Sequence, residues 1–261
     1  MTATTANWII RSAKPSARMR LFCFPYAGGG AGVYRPWRDA VPDAVEVCAI
    51  APPGREGSFG IPAITDMATL VSGVVHAMDG LLDLPFALFG HSLGSLVAYE
   101  TALALAHQGR GEPLLLIVSG RGAPHIPSTR PPVYQLPDNV LVNEIARLGG
   151  TAAEILEHPE IVELFLPTLR ADFQLSDTYR APESGQLSSP VLALGSHGDD
   201  YFTEDALHAW GSVTRGSFST RMFPGGHFYL NTERDALLDL VGTALLQRLK
   251  AWQTGPAPTQ T

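Results

Sequence analysis

Pro85-Phe86-Ala87-Leu88-Phe89-Gly90-His91-Ser92-Leu93-Gly94 is the stretch whose reading decides the fold. Phe86–Phe89 is a short apolar run bounded by proline and glycine, the pattern of a strand buried on both faces. Leu93–Gln108 then carries the pattern of a helix. Between strand and helix stands Gly-x-Ser-x-Gly, and in that setting the motif is a nucleophile elbow. A sharp strand-to-helix turn holds its serine in a strained conformation, and small residues two before and two after avoid clashes. The Leu93 N–H, at the start of the helix, is then offered to a developing oxyanion.

Outward from the elbow, short apolar runs alternate with helical patterns. Arg20–Phe24, Val45–Ala49, Leu114–Ser119, Val191–Gly195 and Ser217–Phe223 read as further strands, with Trp8–Ile10 as an added edge strand. Met67–Met78, Glu204–Trp210 and Glu233–Trp252 read as helices. This alternation predicts an α/β protein, a mostly parallel sheet with helices on both faces. One segment departs from it. Roughly seventy residues, Arg121–Ser189, lie between the fourth and fifth of these main strands with helical patterning throughout, and a structureless loop of that length is improbable. Asp138 suits the cap of a helix ending at Gly149-Gly150, Thr151-Ala152-Ala153-Glu154 has capping-box spacing, and Pro159 suits a first helical turn. We therefore expect residues 1–120 and 190–254 to form one core, residues 121–189 to form an inserted helical lid, and the Pro/Thr-rich residues 255–261 to be a disordered tail.

Composition narrows the function. A chain of 261 residues, 45% hydrophobic and 16% charged, is long enough for one sizeable core. Its net charge of −7 argues against binding nucleic acid or an anionic membrane through bulk charge. Met1–Lys14 lacks the apolar stretch of a signal peptide, and no apolar run is long enough to span a bilayer, so a soluble cytoplasmic monomer is expected. Cys23 and Cys48 each sit within a strand-like apolar run, as buried reduced thiols do. Residues 1–38 carry Arg11, Lys14, Arg18, Arg20, Arg35 and Arg38 with no acid, the pattern of a solvated basic N-terminus or, more sharply, of a local docking patch for an acidic partner.

A serine needs a base to become a nucleophile. His227, in Gly225-Gly226-His227-Phe228 directly after the last strand, is best placed among the eight histidines. His91 adjoins Ser92, but a neighbour on an elbow points elsewhere. The base needs a carboxylate after an earlier strand, and Ser196-His197-Gly198-Asp199-Asp200 supplies two candidates in the order Ser…Asp…His. The loop Tyr26-Ala27-Gly28-Gly29-Gly30-Ala31-Gly32 has the wrong glycine spacing for a dinucleotide cradle and lacks a following Gly-Lys-Ser/Thr. It reads as a flexible turn or, better, as the source of a second oxyanion donor, the Ala27 N–H. A metal site is disfavoured, because His197, Asp199 and Asp200 are few and crowded and His-Glu-x-x-His is absent.

At these residues the chain resembles the type II thioesterases that accompany modular polyketide and nonribosomal peptide synthases. The marks are Phe24-Pro25-Tyr26-Ala27-Gly28-Gly29, Pro53-Gly54-Arg55, Gly90-His91-Ser92-Leu93-Gly94, Leu169-Arg170-Ala171-Asp172 and Gly225-Gly226-His227-Phe228-Tyr229-Leu230. The likeness runs from about Trp8 to Leu230. It implies an α/β-hydrolase fold with Ser92 as nucleophile, His227 as base, Asp199 as acid, and oxyanion N–H groups from Ala27 and Leu93. The family's acid loop usually reads Gly-Gly-x-x-Asp-Pro; here Asp200 replaces the proline and stands as a rival acid. The resemblance implies hydrolysis of stalled or aberrant acyl groups from carrier-protein domains, with no cofactor, since the phosphopantetheine belongs to the substrate. Such carrier domains are usually acidic. A general carboxylesterase or lipase, and a medium-chain fatty acyl thioesterase, are the alternative readings.

Overall fold

The computed structural model describes residues 8–128, 130–148, 158–181 and 185–254. The helix end expected at Gly149-Gly150, the capping box expected at Thr151–Glu154 and the tail 255–261 lie outside the described residues. Seven strands form one sheet: β1 (Ile9–Arg11), β2 (Met19–Phe24), β3 (Val45–Ile50), β4 (Phe86–His91), β5 (Leu116–Ser119), β6 (Val191–Ser196) and β7 (Phe218–Phe223). Their order is β1-β3-β2-β4-β5-β6-β7, with β1 antiparallel to β3 and every other pair parallel.

The central strands are apolar on both faces because both faces are covered. In β2, Phe22 and Phe24 join one core while Met19, Leu21 and Cys23 join the other, as the two-residue period of a strand requires. On the first face lie α2 (Met67–Ala77), capped by Asp66 on the Thr69 N–H at 2.8 Å, and α3 (Leu93–His107). On the second lie α1 (Trp37–Ala40) and α8 (Arg234–Thr254), with Trp37, Leu237, Val241 and Leu245 buried against the sheet. The edge strand β7 instead leaves Ser219 and Arg221 exposed. Helix α3 is buried on nearly every side, which explains its small and apolar sequence.

Between β5 and β6 the described residues form α4 (Asp138–Leu148) and α5 (Pro159–Thr178), the latter starting at the expected proline. Val133, Leu141, Ile145, Leu166 and Phe173 from this segment make a third apolar cluster. The helix expected over Glu204–Trp210 is shorter. It runs as α6 (Glu204–His208) and tightens into a 3-10 turn over Ala209–Val213, where buried Trp210 gives its Nε1–H to the Arg121 carbonyl at 2.8 Å. A last short helix, α7 (Tyr229–Thr232), follows β7.

The basic N-terminal run differs from expectation. Arg20 is buried and pairs with Glu46 at 2.9 Å and with Asp83; Arg11 reaches the same Glu46 at 2.6 Å, and Lys14 reaches Asp43 at 3.3 Å. Three of its six cations are thus engaged in internal pairs around the amino ends of β2 and β3. Arg18 and Arg35 are exposed with no ion-pair partner among the described residues.

Strand order reverses between β2 and β4, since the chain leaves β2 toward β3 and later returns to β4. In open parallel sheets such a reversal opens a crevice at the carboxyl ends of the strands. The crevice requires α3 to approach β2 closely: a Cβ on Gly94 would stand 2.1 Å from the Phe24 carbonyl oxygen. Gly94→Ala should therefore destabilise the protein by about 3 kcal/mol or more in urea unfolding. Gly57→Ala, where a Cβ meets nothing within 4 Å, should stay within about 0.5 kcal/mol of the parent.

Candidate active site

The loop from β4 into α3 holds Ser92 at φ 54°, ψ −117°, a region that non-glycine residues rarely occupy. Its neighbours enforce the conformation. The Ser92 N–H donates to the Ser119 carbonyl at 2.8 Å, and buried Ser95 joins Gly90 to Ser119 through its hydroxyl, accepting the Ser119 N–H at 3.0 Å. A Cβ on Gly90 would lie 2.1 Å from the Gly94 carbonyl oxygen. Leu93 opens α3, and its N–H has no protein acceptor among the described residues.

The glycine-rich loop after β2 faces this elbow. It begins as a tight turn, Gly29 N–H to Tyr26 carbonyl at 2.9 Å, with Gly28 at φ +77° in the third turn position. The Ala27 N–H, at the second position, is likewise given to no protein acceptor among the described residues. Leu169 of α5 packs where a Gly28 Cβ would be, 2.3 Å away, and Glu56 does the same at Gly30, 2.7 Å away. The glycines are there for close approach rather than for flexibility.

That loop is held from behind by a buried ion pair. The Arg55 guanidinium grips Asp172 of α5 with Nη1 to Oδ2 at 2.9 Å and Nη2 to Oδ1 at 2.8 Å. The same carboxylate accepts the Gly28 N–H at 2.7 Å, and the same guanidinium donates to the Gly29 carbonyl at 2.8 Å. Thr168 adds a hydroxyl bond to the Gly54 carbonyl at 2.6 Å. Arg170, two residues before Asp172 and so on nearly the opposite side of the helix, turns to the Leu136 carbonyl at 3.0 Å and to Asp138 of α4.

At the ends of β6 and β7 the expected histidine and acid meet. His227 Nδ1 lies 2.7 Å from Asp199 Oδ2, both side chains buried. Asp199 Oδ1 accepts the Tyr201 N–H at 2.9 Å. The two loops are tied by Ser196 Oγ donating to the Gly226 carbonyl at 2.8 Å and by the Gly198 N–H donating to the Gly225 carbonyl at 2.9 Å. Asp200, the rival acid, is turned away. It is exposed and pairs with Arg147 of α4 at 2.9 Å, which holds its carboxyl below the usual carboxylate range. His91 points beneath the site, its ring 5.1 Å from that of His227 and its Nδ1 2.8 Å from Ser119 Oγ. Burial, and the second imidazole beside it, push its pKa well down and keep it neutral.

A cavity of about 270 Å³ connects these groups. Ser92, Leu93, Ala27 and His227 line one side; Val142 and Ile145 of α4 and Phe165, Leu169 and Phe173 of α5 line the other. Sequence reasoning did not assign the Arg55–Asp172 contact, whose members lie 117 residues apart, although both stood inside quoted motifs. Nor did it find Tyr201, whose ring stacks on His227 at 4.7 Å and carries the Arg130 guanidinium 4.1 Å from its centre. No local signal marks that tyrosine.

The profile of the thioesterase domain family matches residues 19–245. The gramicidin S biosynthesis protein GrsT of Aneurinibacillus migulanus is 34% identical over 236 residues, covering 90% of this chain and 92% of that one. Among solved structures, the RedJ thioesterase of the prodiginine biosynthetic pathway in Streptomyces coelicolor is 36% identical with a TM-score of 0.83, covering 88% and 87% of the two chains. The type II thioesterase BorB from the borrelidin biosynthetic cluster is 33% identical with a TM-score of 0.84, covering 95% and 100%. With the family profile over most of its length and relatives of this identity along nearly all of it, the chain belongs to the thioesterase domain family.

Proposed function

We propose that the protein is a discrete type II thioesterase that clears stalled or aberrant acyl groups from the phosphopantetheine arms of carrier proteins in a polyketide or nonribosomal peptide pathway. The observation that carries the reading is one cavity lined by Ser92, on a strained elbow, by His227, which is bonded to buried Asp199, and by Ala27 and Leu93, whose backbone N–H groups have no protein acceptor among the described residues. The pathway assignment draws on the relatives named above.

In this mechanism Ser92 attacks the thioester carbonyl while His227 takes its proton. Negative charge on the tetrahedral oxygen is met by the Ala27 and Leu93 N–H groups, the latter reinforced by the α3 dipole. The intermediate collapses, the C–S bond breaks, and His227 returns its proton to the departing thiol. A water deprotonated by His227 then attacks the acyl-Ser92 ester, releasing the free acid and restoring the serine. Asp199 holds the imidazole so that its other nitrogen faces the serine. No cofactor enters, because the pantetheine arm arrives with the substrate. Residues 121–189 act as the lid, whose apolar side chains accept acyl chains.

Ser92→Ala should leave the fold intact and lower turnover by several orders of magnitude. A fluorophosphonate probe should label the parent at Ser92 alone, and labelling elsewhere would overturn the site.

Asp199→Asn should cost up to about 10⁴-fold in kcat, the scale on which a wrong imidazole tautomer acts. Asp200→Asn should have a far smaller effect, felt through loss of its link to Arg147. A steady-state comparison of the two variants settles the assignment; the reverse order of effects would transfer the role to Asp200.

The carrier reading requires local attraction, since a chain of net charge −7 repels an acidic domain at long range. Exposed Arg35, just beyond the 3-10 turn Ala31–Tyr34 that follows the glycine loop, is the free cation of the N-terminal run nearest the cavity in sequence. The same acyl group should react with higher kcat/KM on a carrier protein than on free pantetheine, and the advantage should shrink as salt approaches about 0.5 M. Arg35→Glu should reduce the carrier rate and spare the small thioester, while Lys14→Glu changes neither. Equal, salt-independent rates on both substrates would point to a general esterase.

A further inference from the structure

Three facts about α5 belong together. Its Phe165, Leu169 and Phe173 wall the cavity, where an acyl chain lies in the proposed reaction. Its Asp172, on an adjoining part of its surface, accepts the Gly28 N–H and grips Arg55. Arg55 in turn holds the Gly29 carbonyl. The peptide N–H immediately after Ala27 is therefore held by a group that arrives only with α5, and Arg55 links that group to the Gly29 carbonyl.

We propose that the Arg55–Asp172 pair is a positioning device that couples the seating of the lid helix to the competence of the oxyanion hole. This rests on the assignment of Ala27 as an oxyanion donor. Arg55 and Asp172 are 6% and 2% exposed and satisfy each other in a two-pronged bond. A pair serving only to fasten a helix would need no further partners. Here each member spends a remaining hydrogen-bonding position on the backbone of the loop, one as acceptor and one as donor. The tight turn Tyr26–Gly29 cannot rotate without breaking both. Leu169 pressed against Gly28 adds a steric stop from the same helix. When α5 lifts to admit an acyl-pantetheine arm, the loop loses the Asp172 and Leu169 restraints together, and Arg55 is left without the carboxylate that orients it. When it reseats on the bound chain, the Ala27 N–H is returned to place. Electrophilic activation is thereby reserved for a closed, occupied cavity, and the effect appears in the transition state rather than in substrate binding.

The test separates fastening from positioning. It uses the full chain, an acyl-N-acetylcysteamine thioester as substrate, and an alkyl boronic acid as a probe that forms a tetrahedral adduct with the serine. In Asp172→Asn we expect kcat to fall about 10²-fold, the scale of one lost oxyanion donor. KM should change less than about threefold, and the boronate inhibition constant should rise in parallel with the loss of kcat. The decisive variant is the apolar replacement Arg55→Met with Asp172→Leu. Burying matched apolar groups in place of a buried ion pair commonly preserves or raises stability. This double variant should therefore keep the parent's Tm yet stay as impaired in kcat as Asp172→Asn. If it recovers parental kcat together with Tm, the pair only fastens the helix and the proposal falls. Arg55→Lys, which keeps the charge and loses the fork, carries the same kinetic expectation where the other variants do not accumulate folded. Intact-protein mass spectrometry of the parent with the thioester keeps the two readings apart. Absence of an acyl adduct on Ser92 would refute the site itself, whereas a normal adduct with unimpaired variants refutes only the coupling.

Discussion

The structure depends on one strained residue. Ser92 sits at φ 54° between a strand and a helix, a conformation that costs on the order of 1–3 kcal/mol and persists only where its surroundings over-determine it. They do so here. Strand β4 is paired on both sides, by β2 and by β5, so the approach to the turn is fixed. Helix α3 is buried along its length and cannot drift to relieve the strain. Gly94 lets the helix start press against the Phe24 carbonyl, where a side chain would force β2 and α3 apart, and Gly90 lets β4 meet the first turn of α3, where a side chain would strike Gly94 and Ser95. The same compression brings the loop after β2 beside the elbow, so the geometry that strains the serine also brings Ala27 and Leu93 to the wall of the cavity at Ser92.

Around that rigid centre the polar groups fall into two kinds. His227 faces the cavity with buried Asp199 behind it, and the pair is supported by the Tyr201 N–H and by bonds between its two loops. The Arg55–Asp172 pair lies behind the glycine-rich loop, and removing either partner alone would leave a buried charge at a cost of about 3–5 kcal/mol. Asp200 belongs to neither. It reaches outward to Arg130 and Arg147, exposed contacts of the sort that contribute little individually and weaken with salt. Two adjacent aspartates thus have unrelated tasks because one side chain turns into the protein and the other to water.

The fold was legible because period and punctuation agree along the chain. Strands β2 to β7 begin and end within about two residues of their expected limits; β2 to β6 do so because buried parallel strands read as largely apolar runs between turn residues, while β7 alternates as a half-exposed edge strand does. The candidate nucleophile, base and acid loop were legible for a related reason, each directly following the carboxyl end of a strand. Glu204–Trp210 was less so: Trp210 is drawn into the core and the helix tightens there, a tertiary demand without local signature. The basic N-terminal run was misleading for the opposite reason. Charge counted along a sequence ignores Glu46 and Asp83, which arrive from β3 and from the turn before β4 to pair with Arg20.

By itself the sequence determined the layered α/β architecture, the elbow at Ser92, the candidacy of His227, and the need for a carboxylate at 199 or 200, because each follows from local pattern and strand order. Only the tertiary structure set Asp199 against His227 and Asp200 against Arg147, placed the His91 ring beside that of His227, stacked Tyr201 on His227, and joined Arg55 to Asp172 across 117 residues. The reason is physical. Strand and helix propensities act over a few neighbouring residues, whereas the direction of a side chain and the partner it meets are set by close packing among elements far apart in the chain.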